Sequence, residues 1–285
     1  MKRIVVTGSK GGTGRSIVSV LGKAGYEVIG VDRLAPEPYG ESDYIQLDLR
    51  DATGVNDALA GADGVIHFGS PPADCNMGTT EAFSMLAVAG FNVFQAARNV
   101  GIKRIAWASS IEVYGNMEKQ PQLPVTEESP LAPPGIYGSS KLLLERLALD
   151  YARWYGMSIA GFRLSRIIYN TPSGRAKLKR IVDDEGLGGD CLWSYIDARD
   201  VATACQAWLE SDHQGAEVFN LAAANVHQDV AANILLDKYG YRTMPIRESE
   251  ASDGTLFSTG KIREMLGWQA RYDWRTMLKP PSNQE

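Results

Sequence analysis

The sequence is poor in cysteine. Only Cys75, Cys191 and Cys205 occur among 285 residues, and none stands close to another. That excludes a disulfide framework and a cysteine zinc site, and it fits a reducing compartment. Histidine is as scarce: His67, His213 and His227 lie far apart and form no ligand cluster, so no metal is expected. Positive charge is in deficit, with 29 Lys and Arg against 34 Asp and Glu and a net charge of -5. No basic face is therefore expected for nucleic acid or an anionic membrane. No apolar run is long enough to span a bilayer, and the stretch after Met1-Lys2-Arg3 is too short for a signal sequence. A soluble cytoplasmic protein is the expectation. What is present is 44% hydrophobic residues and 29 glycines, enough for one large domain or one domain with a small lobe.

Taken in order, Ile4-Val5-Val6-Thr7 is a β-branched run of the kind found in buried strands. It feeds the turn Gly8-Ser9-Lys10-Gly11-Gly12-Thr13-Gly14 and then a helical pattern through Ile17, Val20, Leu21 and Ala24. A strand, a glycine turn and a helix start in that order aim backbone N–H groups at one place, where a pyrophosphate fits. Any tight strand-to-helix turn also uses glycine, so the context decides. The next strand, Val28-Ile29-Gly30-Val31, ends at Asp32, whose carboxylate can accept from both hydroxyls of a ribose and would repel a 2'-phosphate. This points to NAD. Arg33 softens the preference, and an ordinary turn aspartate is the plain alternative.

Further strands are predicted at Tyr44–Asp48, Gly64–Gly69 and Arg104–Ala108, with a long amphipathic helix over Glu81–Val100. The strand ends would gather along one edge of a parallel sheet. His67 is expected in a loop near the cofactor. Ser109 and Ser110 close the fifth strand, where a serine can donate to a substrate oxygen or simply serve the turn.

Tyr137 and Lys141 stand four apart in a predicted helix, so both side chains share a face. An ammonium close to a phenol favours the ionised form and makes tyrosine a proton acceptor nearer neutrality. The same spacing also occurs as an ordinary surface pair.

Together these motifs give a resemblance. Gly8-x-x-Gly11-x-x-Gly14, Asp32, Asp48-Leu49-Arg50-Asp51, Ala108-Ser109-Ser110-Ile111-Glu112-Val113-Tyr114-Gly115 and Tyr137-x-x-x-Lys141 follow the order of the extended short-chain dehydrogenase/reductases. That is the sugar-nucleotide epimerase/dehydratase family. Trp193–Ala202, Val218–Leu221 and Lys261–Trp268 extend the match. The resemblance implies an α/β fold, a doubly wound parallel Rossmann sheet with a small C-terminal lobe. It also implies Tyr137 as general base, Lys141 lowering its pKa while holding the nicotinamide ribose, and Ser110 orienting a carbinol hydroxyl. Gly8, Gly11 and Gly14 would pass the pyrophosphate, Asp32 the ribose and Asp48 the adenine edge, with Gly12, Arg33 and Leu49 also among the cofactor contacts. His67 would lie close by. Ser70, Ser110 and Glu112 would contact a carbohydrate substrate.

Departures from the pattern narrow the choice. Ile111 occupies the place where dehydratases carry an acid, so dehydration is not expected. The helix asparagine of the family is absent at Met85 and Leu86. The stretch between Lys141 and Tyr195, which in nucleotide-sugar enzymes grips the nucleotide, is short, as in dehydrogenases of free aldoses, uronic acids and sugar phosphates. Arg163, Arg166, Arg175, Lys177, Lys179 and Arg180 form either an anion pocket or a solvated face. Arg163 and Arg166 are the stronger candidates for substrate contact.

The expected organisation is a sheet domain from 1–166 and 195–221, and a lobe from 167–194 and 222–285. Three functions stay open: a sugar or sugar-acid dehydrogenase, a UDP-hexose 4-epimerase that retains NAD, and a non-catalytic NAD-binding sensor. A homodimer through the helix near residue 90 and the one carrying Lys141 is expected from the family.

Overall fold

The computed structural model describes residues 2–36, 43–72, 77–241, 245–246 and 254–279. Cys75 lies outside them. Nine strands are described: β1 Arg3–Thr7, β2 Glu27–Asp32, β3 Tyr44–Gln46, β4 Gly64–His67, β5 Arg104–Ser110, β6 Ser158–Leu164, β7 Arg166–Ile168, β8 Tyr195–Asp197 and β9 Ala216–Leu221. The helices are α1 Gly12–Lys23, α2 Ala52–Leu59, α3 Thr79–Phe83, α4 Ala89–Asn99, α5 Ile136–Tyr155, α6 Pro172–Asp183, α7 Ala198–Glu210, α8 Ala232–Lys238, α9 Gly260–Leu266 and α10 Trp274–Leu278. A π-helical turn at Ser84–Val88 joins α3 to α4, so the predicted long helix exists as one run.

The main sheet has seven strands in the order β3-β2-β1-β4-β5-β6-β9, and every pairing is parallel. Alternation along each strand assigns its two faces. Ile4 and Val6 of β1 join Ile17 and Leu21 of α1 and Val201 and Trp208 of α7 on one side. Val5 joins Val55 of α2, Val93 of α4 and Leu144 of α5 on the other. The strand order reverses direction at β1 and β4, and the crevice outside their carboxyl ends is where such sheets take ligands.

β8 differs from expectation. Tyr195–Asp197 does not enter the main sheet but pairs with β7 in a separate two-stranded sheet. Its residues are buried, yet Asp197 must also cap α7, accepting from the Arg199 amide at 2.8 Å. Its partner strand β7 follows directly on β6, so the pair forms at the end of the main sheet rather than within it. Arg166, expected to end the sheet domain, belongs to the same small sheet. A third cluster packs Val113, Tyr114, Leu123, Trp193, Leu236 and Phe257 beside this sheet. Residues 111–125 thus pack with the C-terminal part of the chain. Among the described residues, no helix is long and apolar enough to cross a membrane.

Candidate functional site

A cleft of about 1090 Å³ opens at the carboxyl edge of the main sheet, between it and the small sheet. At one end lies the glycine turn. Gly8 has φ +71°, and a Cβ there would stand 2.5 Å from the Phe68 carbonyl oxygen; one on Gly14 would stand 2.0 Å from that of Gly8. Only glycine lets β1, the turn and α1 close this tightly. Helix α1 has no side-chain cap and no acidic residue in its first turn. Its first N–H groups therefore have no side-chain cap competing for them, which suits a diphosphate.

Asp32 ends β2, with Oδ2 accepting from the Lys10 amide at 3.0 Å and Oδ1 from the Leu34 amide at 3.2 Å. These hold the carboxylate still and leave lone pairs for a diol. Arg33 Nη1 lies 3.8 Å from Met85 Sδ. Asp48 binds Arg50 through both carboxylate oxygens, and this partner pulls its pKa down. The Leu49 side chain is buried. Its carbonyl and that of Arg50 accept from Asn92 Nδ2 at 2.9 and 3.1 Å. Asn92, on the inner face of α4, was not singled out from sequence. An amide on an otherwise apolar helix face was the available signal.

His67 is a correction. It is not in a loop and does not line the cleft; it ends β4, is 3% exposed, and its Nδ1 meets Thr7 Oγ1 at 2.8 Å. Burial, aided by the Lys141 charge, pushes its pKa down to about 3.

Tyr137, Ser110, Glu112 and Ser70 all line the cleft. Lys141 lies one turn after Tyr137 on α5, with Nζ 5.4 Å from the tyrosine ring centre. It donates to Ser70 Oγ at 3.0 Å and to the Ala108 carbonyl at 2.8 Å, and burial lowers its pKa to about 7. Ser110 Oγ accepts from the Glu112 amide at 3.1 Å, which fixes the hydroxyl oxygen while leaving its proton free to be donated. A phenol, a neighbouring cation and an oriented hydroxyl are the parts needed to take a proton from an alcohol.

Arg163 is the second correction. It does not face the cleft as an anion-binding group: its side chain is 3% exposed and pairs with Glu145 at 2.7 Å. It also donates to Tyr114 Oη and the Glu127 carbonyl, both at 2.9 Å. The register explains this, because Ser109, Arg163 and Asn220 are direct partners on β5, β6 and β9 and form a polar row under α5. Arg166 does line the cleft, paired with Asp190 at 2.9 Å, and Lys177 lines it too. The rest of the basic run is on the surface, Lys179 with Asp183 and Arg175 with Asn170. Tyr169 and Asp190, also in the lining, were not anticipated.

The model of the NAD dependent epimerase/dehydratase family matches residues 4–222. A uronate dehydrogenase of Pseudomonas putida is 31% identical over 169 residues, which cover 57% of this chain and 60% of that protein. A UDP-glucose 4-epimerase of Bacillus subtilis is 26% identical over an alignment of 318 residues, covering 94% of this chain and 92% of the relative. Among solved structures, a short-chain dehydrogenase/reductase superfamily protein from Agrobacterium tumefaciens with bound NAD is 25% identical, with a TM-score of 0.73. That likeness covers 97% of this chain and 94% of the other.

Proposed function

Because the chain belongs to the NAD-dependent epimerase/dehydratase family, we propose that it oxidises a carbinol carbon of a small sugar or sugar acid and releases NADH. The size of the cleft carries this reading. Pockets for one drug-sized ligand run to roughly 300–1,000 Å³. A cleft of about 1090 Å³ whose lining runs from the glycine turn past Ser110 and Tyr137 to Arg166, and does not include Asp32, must hold the diphosphate and nicotinamide end of a dinucleotide together with the substrate, which favours a compact substrate.

When bound, NAD supplies the hydride acceptor. Tyr137 takes the hydroxyl proton as the carbinol carbon gives up its hydride, which leaves a carbonyl product. The Lys141 cation stabilises the phenolate, and the Ser110 hydroxyl holds the substrate oxygen in place. Asp32 receives the adenosine ribose and the α1 turn the diphosphate. Arg166, held by Asp190, and Lys177 also line the cleft and are the cations available there to a carboxylate or phosphate on the substrate.

A second reading is an epimerase that keeps its cofactor, favoured by a match to UDP-glucose 4-epimerase over 94% of this chain. Nicotinamide absorbance separates the two. Purified protein is given NAD and a panel of free sugars, uronic acids and sugar phosphates beside UDP- and TDP-sugars. Stoichiometric NADH from an unactivated sugar supports the dehydrogenase. Isomer conversion of a nucleotide-sugar without net NADH replaces it with the epimerase.

The same reading includes a homodimer. Phe83 and Phe91 on the α3–α4 run, and Leu143 and Trp154 on the neighbouring α5, are exposed apolar side chains that a second copy would cover. Sedimentation as a monomer would remove this part.

A further inference from the structure

Gly12 does not share the constraint that keeps Gly8 and Gly14 as glycine. The three atoms nearest a Cβ on Gly12 all belong to the ring of Tyr169, 2.5 Å from Cε1, 2.8 Å from Cδ1 and 2.9 Å from Cζ. The phenol therefore lies against the Gly12 α-carbon. Its hydroxyl reaches Thr13 Oγ1 at 3.3 Å, across 156 residues of sequence. Gly12 and Thr13 are the first residues of α1, whose N–H groups carry no side-chain cap. Both they and Tyr169 line the cleft.

Tyr169 is carried on a firm arm. It follows β7 directly, and its carbonyl accepts from the Thr171 amide at 2.9 Å. Thr171 caps α6, accepting from the Gly174 amide at 3.0 Å. A Cβ on Gly174 would stand 2.1 Å from the Tyr169 carbonyl oxygen, so the first turn of α6 is pressed onto the tyrosine backbone. The half-buried ring is thus an extension of the small sheet laid over the glycine turn of the large one.

We propose that Tyr169 is a cofactor latch: its ring and hydroxyl cover the diphosphate-binding turn, and NAD enters and NADH leaves only as this contact opens. The hydroxyl can exchange Thr13 Oγ1 for a phosphate oxygen, so the latch also gives the bound cofactor a donor. Gly12 is then glycine to seat Tyr169 rather than to let the phosphate approach. The proposal rests on the family's use of NAD and is independent of which sugar is turned over.

The test is NADH displacement by excess NAD, followed by nicotinamide fluorescence in a stopped flow, with the full chain. Tyr169→Ala is expected to raise the dissociation rate about tenfold, since changes within one interface act mainly on release. Tyr169→Phe, which keeps the ring, is expected to raise it about threefold, the scale of one neutral hydrogen bond. Gly12→Ala should resemble Tyr169→Ala, because its methyl group displaces the ring, and the double variant should show no further increase. Unchanged dissociation in Tyr169→Ala, or additive effects in the double variant, overturns the latch. Should Tyr169→Ala fail to fold, the near-isosteric Tyr169→Phe decides, and an unchanged rate there overturns it. Loss of NADH binding by the unaltered protein would instead overturn the cofactor assignment.

Discussion

Arg163 and Glu145 meet as a two-point ion pair beneath α5, Nε to Oε1 at 2.9 Å and Nη2 to Oε2 at 2.7 Å. Ser109 Oγ donates to the same Oε1 at 2.6 Å. Glu145 stands one turn beyond Lys141, itself one turn beyond Tyr137, so one stripe of α5 carries proton acceptor, cation and anchor. The anchor ties the helix to the ends of β5 and β6, the strands beside the cleft.

Removing one member of this pair strands the other in a site from which water is excluded. Glu145→Ala is expected to cost about 3–5 kcal/mol of stability, the usual penalty for an uncompensated buried charge. The double replacement Glu145→Leu with Arg163→Met should cost much less, because no charge remains. Urea unfolding midpoints check both, and equal losses in the two variants would contradict the argument.

Tyr137→Phe removes the proposed proton acceptor and little else. Turnover is expected to fall by roughly 10²–10⁴-fold, the range of a missing acid–base group. NADH binding, measured by fluorescence, should stay close to that of the unaltered protein. Activity that survives the change would move the chemistry to another group.

Asp32→Ala should weaken NAD binding and reduce the preference over NADP. The carboxylate is held by the Lys10 and Leu34 amides, so its negative charge occupies a defined place at the tip of β2. A 2'-phosphate would meet that charge directly. Binding titrations with both cofactors read the ratio, and an unchanged ratio would place the ribose contact elsewhere.

Local signals were legible in the sequence. The glycine turn, Asp32 and the Tyr137–Lys141 spacing each depend on neighbours in the chain, and all three reach the same sheet edge. Arg163 was not legible, because its partners come from α5 and from the distant Tyr114 and Glu127. Read alone, an arginine in an apolar strand looks like a ligand-binding group; the carboxylate that satisfies it lies 18 residues earlier. Tyr169 was hidden for the same reason, since its contact is with Thr13. For β8, the short stretch Tyr195-Ile196-Asp197 announces a strand but carries no information on which sheet will pair with it. The end of β4 was not legible either: pairing with β1 extends to His67 against Thr7, which makes a buried strand end of a histidine expected in a loop.

His67 gives the protein an acid limb whose sign follows from its burial. The ring is neutral in the folded chain, its pKa pushed from 6.5 down to about 3, whereas the unfolded chain takes up the proton near the ordinary value. Between those values the unfolded state binds more protons, so stability is complete above pH 6.5 and is lost as pH falls toward 3. The slope from one such group is up to about 1.4 kcal/mol per pH unit. His227, lowered to about 4 by burial, acts in the same direction. Asp200, raised by burial from 3.8 to about 6, acts against it over that range. Because both remain in His67→Gln, the difference between the two proteins isolates the His67 contribution. Glutamine can still meet Thr7 Oγ1 but does not titrate. Urea unfolding at a series of pH values should therefore give the variant a shallower loss of stability from pH 6.5 downward. Identical limbs would show that the His67 ring takes up its proton equally in both states, which the closed contact with Thr7 and the nearby Lys141 cation oppose.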